Sequence, residues 1–487
     1  MLCSKEIKLR RLFTGILCAA SIAVCAVAGC HVHSVNDKIK PQVTGPKSFA
    51  ITAQGVEAPN RWWESLGDSK LTALVEKALS NNLGLQQARL RIEQADSIRR
   101  QAAADLFPEL DADGGPQRRW TDAGTHGDSI SAGLTLSWEI DLWRRLTSVR
   151  QAAEFDTAAA REDLQAAALL LAGQVAETYL GVVEQKLRQA LLTRQIEVGK
   201  TLLELIELRF SVGESDIVDV YQQRQQLAST KAQLPLIRAR RRVLANRLKI
   251  LVARSPADSS EPSADDLPKL PAGPKTGVPS ALLTNRPDLR RLRCEVIAAD
   301  YRVGQAIAER LPRLTIGLDR GYDGTHFRKL TSDGLFTSLM GDLAGPVVDF
   351  GRRKAEVERR RLILRERLLR YSETYLTAIG EVEDALWRER RQQELIKALE
   401  TELQIARGNL KETRIRFSRA ALTDYLPVLA AVQSLQALER NLLTRRRELV
   451  SIRILLYRAL GGARPLTHES TSSEQQSGKQ AEFGRRN

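Results

Sequence analysis

The sequence predicts an α+β membrane protein in which a few β-strands feed very long α-helices. Three observations carry that class. First, Ser129 to Arg145, SISAGLTLSWEIDLWRR, alternates strictly. Ile130, Ala132, Leu134, Leu136, Trp138, Ile140 and Leu142 are apolar, and the residues between them are small, polar or acidic. One face of that strand is greasy and the other wet. Second, no proline interrupts the chain between Trp143 and Pro235, so a long helix follows the strand directly. Third, the plan recurs. Asn82-Leu83-Gly84-Leu85 matches Arg286-Pro287-Asp288-Leu289 and Leu106-Phe107-Pro108 matches Arg310-Leu311-Pro312, both at an offset of 204. Asp141-Leu142-Trp143 matches Asp349-Phe350-Gly351 at 208, and Arg209-Phe210-Ser211 matches Arg416-Phe417-Ser418 at 207. One long internal repeat results, not a short-period solenoid.

The chain starts with a charged stretch, Lys5 to Arg11, and an apolar stretch, Leu12 to Val27. That is a secretory signal, too short and too soon followed by polar chain for a membrane span. It ends in Val27-Ala28-Gly29-Cys30, which resembles the bacterial lipobox, where the cysteine thiol is lipidated and the chain is cut just before it. The sequence therefore divides into a leader (1–29), an extended tether carrying a lipid on Cys30 (30–60) and a first repeat (61–252). A Pro-, Ser- and Asp-rich linker (253–280), a second repeat (281–462) and a disordered tail (463–487) follow. By resemblance to bacterial lipoproteins, His31 after the cysteine favours sorting to the outer membrane.

Within the first repeat, Asp68 or Ser69 caps a helix carrying Leu71, Leu74, Val75 and Ala78, and a second helix runs from about Leu83 until Pro108 stops it. Leu110 to Asp128 is Gly-rich and reads as an irregular strand and loop. After the Ser129–Arg145 strand, Leu187, Leu191, Val198, Leu202 and Leu205 recur at coiled-coil spacings. RFSVGESD marks a turn in which Gly213 takes a positive φ and Ser215 or Asp216 caps the returning helix, which ends near Leu251. The second repeat supplies strands in RLTIGLDRGYDG and LFTSLMGDLAGPVVDF. Helices of about forty residues, roughly 60 Å long, are expected to pair as hairpins.

The formal net charge is +15, of which the leader accounts for +3. Arginines mix with glutamates along the helices (EVERRRLILRERLLR), so ion-paired solvated faces explain the charge. Without a zinc spacing, an RNP-like strand or a concentrated basic block, nucleic acid is not the expected partner. Cys3, Cys18 and Cys25 leave with the signal. Cys30 and Cys294 alone remain, so neither a disulfide framework nor a cysteine-based metal site is expected, and the five scattered histidines add none. Acid pairs such as Glu383-Asp384 lie among arginines, and no nucleophile or phosphate-cradling pattern occurs; no enzyme chemistry is expected.

About four strands cannot close a membrane barrel, since single-chain barrels begin at eight, and no long apolar helix is evident after the leader. If the strands enter a bilayer, several chains must share one barrel.

At this point the chain resembles the TolC-like outer-membrane efflux proteins, in particular their OprM-type lipoprotein branch. The resemblance rests on the lipobox at Cys30, Trp62-Trp63 with Leu66-Gly67-Asp68, and LSWEIDLW (Leu136 to Trp143). In the second half it rests on GVPSALLTNRPDLRR (Gly277 to Arg291) and GPVVDFGRRKAEVE (Gly345 to Glu358). It implies a homotrimer: long helical hairpins forming a periplasmic α-barrel, continuous with a twelve-stranded outer-membrane β-barrel to which each chain gives four strands. It also implies a periplasmic adaptor and an inner-membrane pump, of the resistance-nodulation-division type, as partners in exporting small molecules. Export of proteins, or a coiled-coil lipoprotein without a pore, are the other readings. No cofactor is implied beyond the lipid on Cys30.

The family pattern locates candidate residues. Asp141 and Trp143, with Asp349 and Gly351, form the strand-to-helix corners. Arg209, Phe210 and Gly213, with Arg416 and Phe417, bracket the hairpin turns that meet an adaptor. Asp216, Asp219 and Asp424 are the acids available to line a closed periplasmic gate. Three departures stand out. Arg144 occupies a position where the family has glycine, while the second copy keeps Gly351. Pro427 and Ala430 stand where gate acids are expected. Ala420 replaces a turn glycine.

Overall fold

The computed structural model describes residues 32–36, 38–51, 61–120, 126–258, 266–324, 334–418 and 424–462. The leader, Cys30, Ala420 and the tail from Ala463 lie outside the described residues.

A 3₁₀ turn over Trp62–Leu66 precedes α1 (Ser69–Asn81), α2 (Leu83–Ala104), β1 (Glu109–Trp120), β2 (His126–Ile140), α3 (Arg145–Ser211) and α4 (Ile217–Leu251). A second 3₁₀ turn over Pro279–Ala281 leads into α5 (Leu282–Asn285), α6 (Pro287–Ala308), β3 (Arg313–Gly324), β4 (Leu335–Ala344), α7 (Arg352–Ser418) and α8 (Leu426–Ala459). The repeat is thus real at the level of elements. The chain divides into two compact units: residues 1–42, 90–161 and 291–373, and residues 43–89, 162–290 and 374–487.

The first unit holds one antiparallel sheet in the order β1-β2-β3-β4. The stretch expected to be irregular is a regular strand instead: β1 pairs with β2 from Glu109↔Ser137 to Trp120↔His126. Its glycines and Pro116 disguised it. Within one chain β1 lies at the edge of the sheet, the place in a sheet where proline is tolerated. The registers sort most of the side chains, with Arg320 on the apolar face and Phe336 and Met340 on the acidic one as exceptions. Leu134, Leu136, Trp138 and Ile140 share one face with Ile316, Leu318, Leu339 and Leu343, whereas Asp111, Asp113, Glu139, Asp319 and Asp342 share the other. The apolar face is uncovered: Leu339 and Leu343 are 74% and 67% exposed.

The second unit is built round Trp62 and Trp63, both fully buried, with Leu71, Val75, Val175, Leu180, Leu248 and Ile454. Asp68 fulfils its expected capping role, accepting from the Lys70 and Leu71 N–H groups. Its other oxygen accepts the Tyr179 hydroxyl at 2.7 Å. The linker is held where it is described. Buried Arg453 donates to the carbonyls of Pro271 and Ala272, and the same guanidinium is paired with Glu389. The described parts of the tether are held as well. His33 and the Asn36 N–H are held by Asp300 in the first unit, and in the second Phe49 is buried and the Ala50 N–H meets Glu383.

Helix lengths correct the sequence estimate. α3 and α7 each run 67 residues, about 100 Å at 1.5 Å per residue. α4 passes through Pro235 without ending. α3 also contains a stretch apolar enough to cross a membrane, which the sequence reading missed, but 72% of that window is buried inside the chain. It is a core helix. The coiled-coil seam holds in part, with Leu202 buried and Leu187 packed against the core. Leu192, Leu202 and Ile206 are buried, whereas Val198 and Leu205 are 36% and 41% exposed. Further apolar residues stand exposed seven apart at Leu236, Val243 and Ile250 on α4, and at Leu362, Leu369 and Leu376 on α7.

Candidate functional site

The candidate residues gather at two kinds of place: the turns of the helical hairpins and the corners where strands become helices.

At the first hairpin turn the chain leaves α3 through Gly213, whose φ of +77° only glycine adopts without strain. Asp216 then caps α4 by accepting the Val218 N–H at 3.0 Å. Asp219 completes a capping box, accepting from the Asp216 N–H at 3.4 Å and from the Ser215 hydroxyl at 2.8 Å. Both acids proposed as gate residues therefore have local work, satisfying N–H groups that a helix start leaves open. Asp424 does likewise, accepting the Leu426 N–H at 2.9 Å. Pro427 stands in the first turn of α8, where a missing N–H costs nothing.

Arg209 and Phe417 meet. Arg209 is nearly buried, its Nη1 donates to the Phe417 carbonyl at 2.8 Å, and its guanidinium carbon lies 4.3 Å from the centre of the Phe417 ring. One hairpin thus supplies the cation that closes the carbonyl end of the other hairpin's long helix. Phe210 and Arg416, by contrast, point outward. Phe210 is 43% exposed and Arg416 is paired with Glu412 one turn back.

Sequence reasoning missed the second tie between the hairpins. Tyr425 is fully buried, sets its ring at a tilt against Phe417 with centroids 5.7 Å apart, and donates its hydroxyl to Gln223 at 2.7 Å. Gln223 in turn donates to the Gly199 carbonyl at 2.8 Å. Burial, with the Asp219 charge adding to it, holds the Tyr425 hydroxyl well above its ordinary pKa, so it remains a donor. The only signal in the sequence was a tyrosine beside Asp424 at the tip.

At the first corner the Asp141 carboxylate accepts from the Leu146 N–H at 3.0 Å, the Thr147 N–H at 2.7 Å and the Thr147 hydroxyl at 2.6 Å. Trp143 donates its ring N–H to the Pro312 carbonyl at 2.7 Å. Glu139, the last acid of β2, grips Arg145 with two bonds of 2.9 and 2.7 Å. At the second corner Asp349 accepts from the Arg353 and Gly351 N–H groups at 3.2 and 3.0 Å. Those two bonds, the Arg353 one first, hold the Asp349 carboxyl below its ordinary pKa.

Arg144 and Gly351 are structural equivalents. Their carbonyls accept the first N–H of the following helix, from Ser148 and Ala355, and both have positive φ, +56° and +87°. Arg144 thus adopts the glycine conformation without being glycine, which costs about 1–2 kcal/mol. Three residues separate Asp141 from α3 and two separate Asp349 from α7. The changing repeat offset is this one-residue difference. Among the described residues no group of His, Cys, Asp and Glu comes together that could hold a metal ion.

Comparison with known proteins matches these elements. The profile of the outer membrane efflux protein family covers residues 74–254 and 278–462. The pyoverdine export outer membrane protein OpmQ of Pseudomonas putida is 29% identical over 424 residues, covering 82% of this chain and 88% of OpmQ. The cation efflux system protein CusC of Escherichia coli is 26% identical over 464 residues, covering 90% of this chain and 96% of CusC. Among solved structures, the outer membrane protein VceC of Vibrio cholerae superposes with a TM-score of 0.77 at 25% identity, over 83% of this chain and 99% of that one.

Proposed function

The chain belongs to the outer membrane efflux protein family, and from that premise we propose that it works as a homotrimer in a tripartite exporter. It is an outer membrane efflux channel of the TolC-like fold. The observation that carries the trimer is the sheet. Four strands lie in an open antiparallel order whose outer members, β1 and β4, each have one side without a partner strand among the described residues, and its apolar face is uncovered. Open edges are not tolerated in lipid, and four strands are too few to close. Three copies edge to edge give twelve strands, enough for a barrel with a water-filled interior. The unpartnered heptad stripes on α3, α4 and α7 ask for the same solution, since neighbouring copies would cover them.

With the greasy face toward lipid, the face carrying Asp111, Asp113, Glu139, Asp319 and Asp342 lines the water path. The work is passive conduction, with energy supplied by an inner-membrane pump of the resistance-nodulation-division type. The docking surface for a periplasmic adaptor is the first hairpin turn, where Leu208, Phe210, Val212 and Val218 are 63%, 43%, 64% and 53% exposed. The gate lies at the same end. It is held by the Arg209–Phe417 and Tyr425–Gln223 ties more than by an acidic ring, because Asp216, Asp219 and Asp424 are engaged as caps. Cys30 carries the lipid that anchors the chain. Small molecules, rather than proteins, are the exported class, in keeping with relatives named for pyoverdine and cation export.

Reconstitution into planar bilayers tests the reading. Stable unitary conductance preferring potassium over chloride is expected. Protein that inserts yet never conducts would contradict it. Palmitate labelling abolished by Cys30→Ala is the expected result for the anchor.

A further inference from the structure

The connection from β4 to α7 is built unlike its counterpart after β2. Val347, Val348 and Phe350 are 97%, 71% and 100% exposed, an extreme for three large apolar side chains within four residues. Phe350 also has a φ of +48°, a strained conformation that L residues rarely adopt. Trp143, at the first corner, is instead partly buried and hydrogen-bonded. The exposed row does not arise from nowhere. Leu335, Leu339 and Leu343 on the greasy face of β4 lead along the chain into Val347. Directly after Phe350 the character inverts: Arg352, Arg353, Lys354, Arg359, Arg360 and Arg361 face only Glu356 and Glu358 within the same stretch. Arg352, Lys354 and Arg361 are exposed.

We propose that this corner is a membrane foot: Val347, Val348 and Phe350 enter the interfacial layer of the periplasmic leaflet, and Arg352 and Lys354 hold anionic phospholipid headgroups. An apolar wedge followed by a basic collar is the arrangement that seats protein at an anionic lipid surface. Continuity with the lipid-facing row of β4 and the charge complementarity of the collar select phospholipid over a second copy of the chain. The inference rests on the sheet being the membrane barrel, and it deepens that reading by naming the lipid chemistry at the barrel's rim.

The test uses the full-length protein reconstituted in phosphatidylcholine bilayers with and without phosphatidylglycerol. Tryptophan is introduced at Val347, Phe350 or, as a control on the greasy sheet face, Leu339. Emission added by Val347→Trp and Phe350→Trp should be quenched by lipid brominated near the headgroup. Phosphatidylglycerol should raise the melting temperature by several degrees, and Arg352→Gln with Lys354→Gln should remove at least half of that rise. Unquenched emission at both corner positions with Leu339→Trp quenched overturns the foot while leaving the barrel standing. An undiminished phosphatidylglycerol effect in the double variant overturns the headgroup contact. Loss of trimers in Phe350→Ser places the corner between subunits and overturns the proposal. If Leu339→Trp is unquenched even by lipid brominated deep in the acyl chains, the membrane barrel fails and the foot fails with it.

Discussion

The two halves of the chain follow one plan and solve its joints differently. The first corner is closed. Asp141 satisfies two backbone N–H groups and a hydroxyl, Trp143 bonds back to Pro312, and Glu139 and Arg145 clamp strand to helix. The second is open, with Asp349 satisfying two N–H groups and Phe350 wholly exposed. The hairpin turns differ in the same sense. A complete capping box starts α4, while α8 has no side-chain cap on its N-cap residue Tyr425 and starts on Asp424, which takes the Leu426 N–H, and on Pro427. A duplicated fold needs equivalent elements, not equivalent joints. Each joint is free to be rigid or to present surface, and here the rigid corner is the first.

The largest effect that would sharpen this contrast is Asp141→Lys. It removes three hydrogen bonds and sets a cation against the positive end of α3, a loss of about 2–4 kcal/mol. Trimer yield should fall several-fold, whereas Asp349→Lys should cost roughly half as much. Equal losses measured by thermal melting would erase the distinction between the corners. Next is Tyr425→Phe, which leaves the Gln223 carbonyl without its buried donor at a cost of about 1–2 kcal/mol. Faster proteolysis at the hairpin turns and a larger resting conductance are the expected readouts, and an unchanged gate would remove Tyr425 from it.

Gly351→Ala comes third, at about 1 kcal/mol, because alanine resists a φ of +87°. Arg144→Gly runs the opposite way. Relief of strain outweighs the added freedom of the unfolded chain, so it is tolerated or stabilising by at most about 1 kcal/mol. A clear drop in melting temperature would show that the Arg144 side chain matters more than its backbone.

The smallest effect is on pH. Hydrogen bonds from Arg359 and Arg360 draw the Glu356 carboxyl down to about 2 from 4.5. A carboxyl lowered on folding adds stability that is fully present above its ordinary value and lost as pH falls through the folded one. The start of α7 should therefore loosen between about pH 4.5 and 2. Hydrogen exchange there should lose that acid step in Glu356→Gln, and an unaltered profile would assign the step elsewhere.

Much of this was legible. The β2 alternation, the repeat, the Asp68 cap and the glycine turn at Gly213 follow from local chemistry, which a sequence displays. β1 was legible only as an irregular strand, because Pro116 and the glycines around it read partly as loop. The seam was half legible: Leu202 is buried, yet Val198 and Leu205 obey the same spacing and are exposed, and spacing does not say which copy of a chain will cover a stripe. Asp216 caps α4 as its sequence context suggests, whereas the part of Asp219 in the capping box is visible only in the geometry. The Tyr425–Gln223 bond joins residues 202 apart in sequence, and no periodicity announces such a pair.

The claim on which the rest depends is that four strands per chain become a closed barrel only in company. Native mass spectrometry of the protein extracted from outer membranes in mild detergent tests it most directly. A particle of three chains, lost in Asp141→Lys, is the predicted result; a folded, membrane-extracted monomer would contradict it.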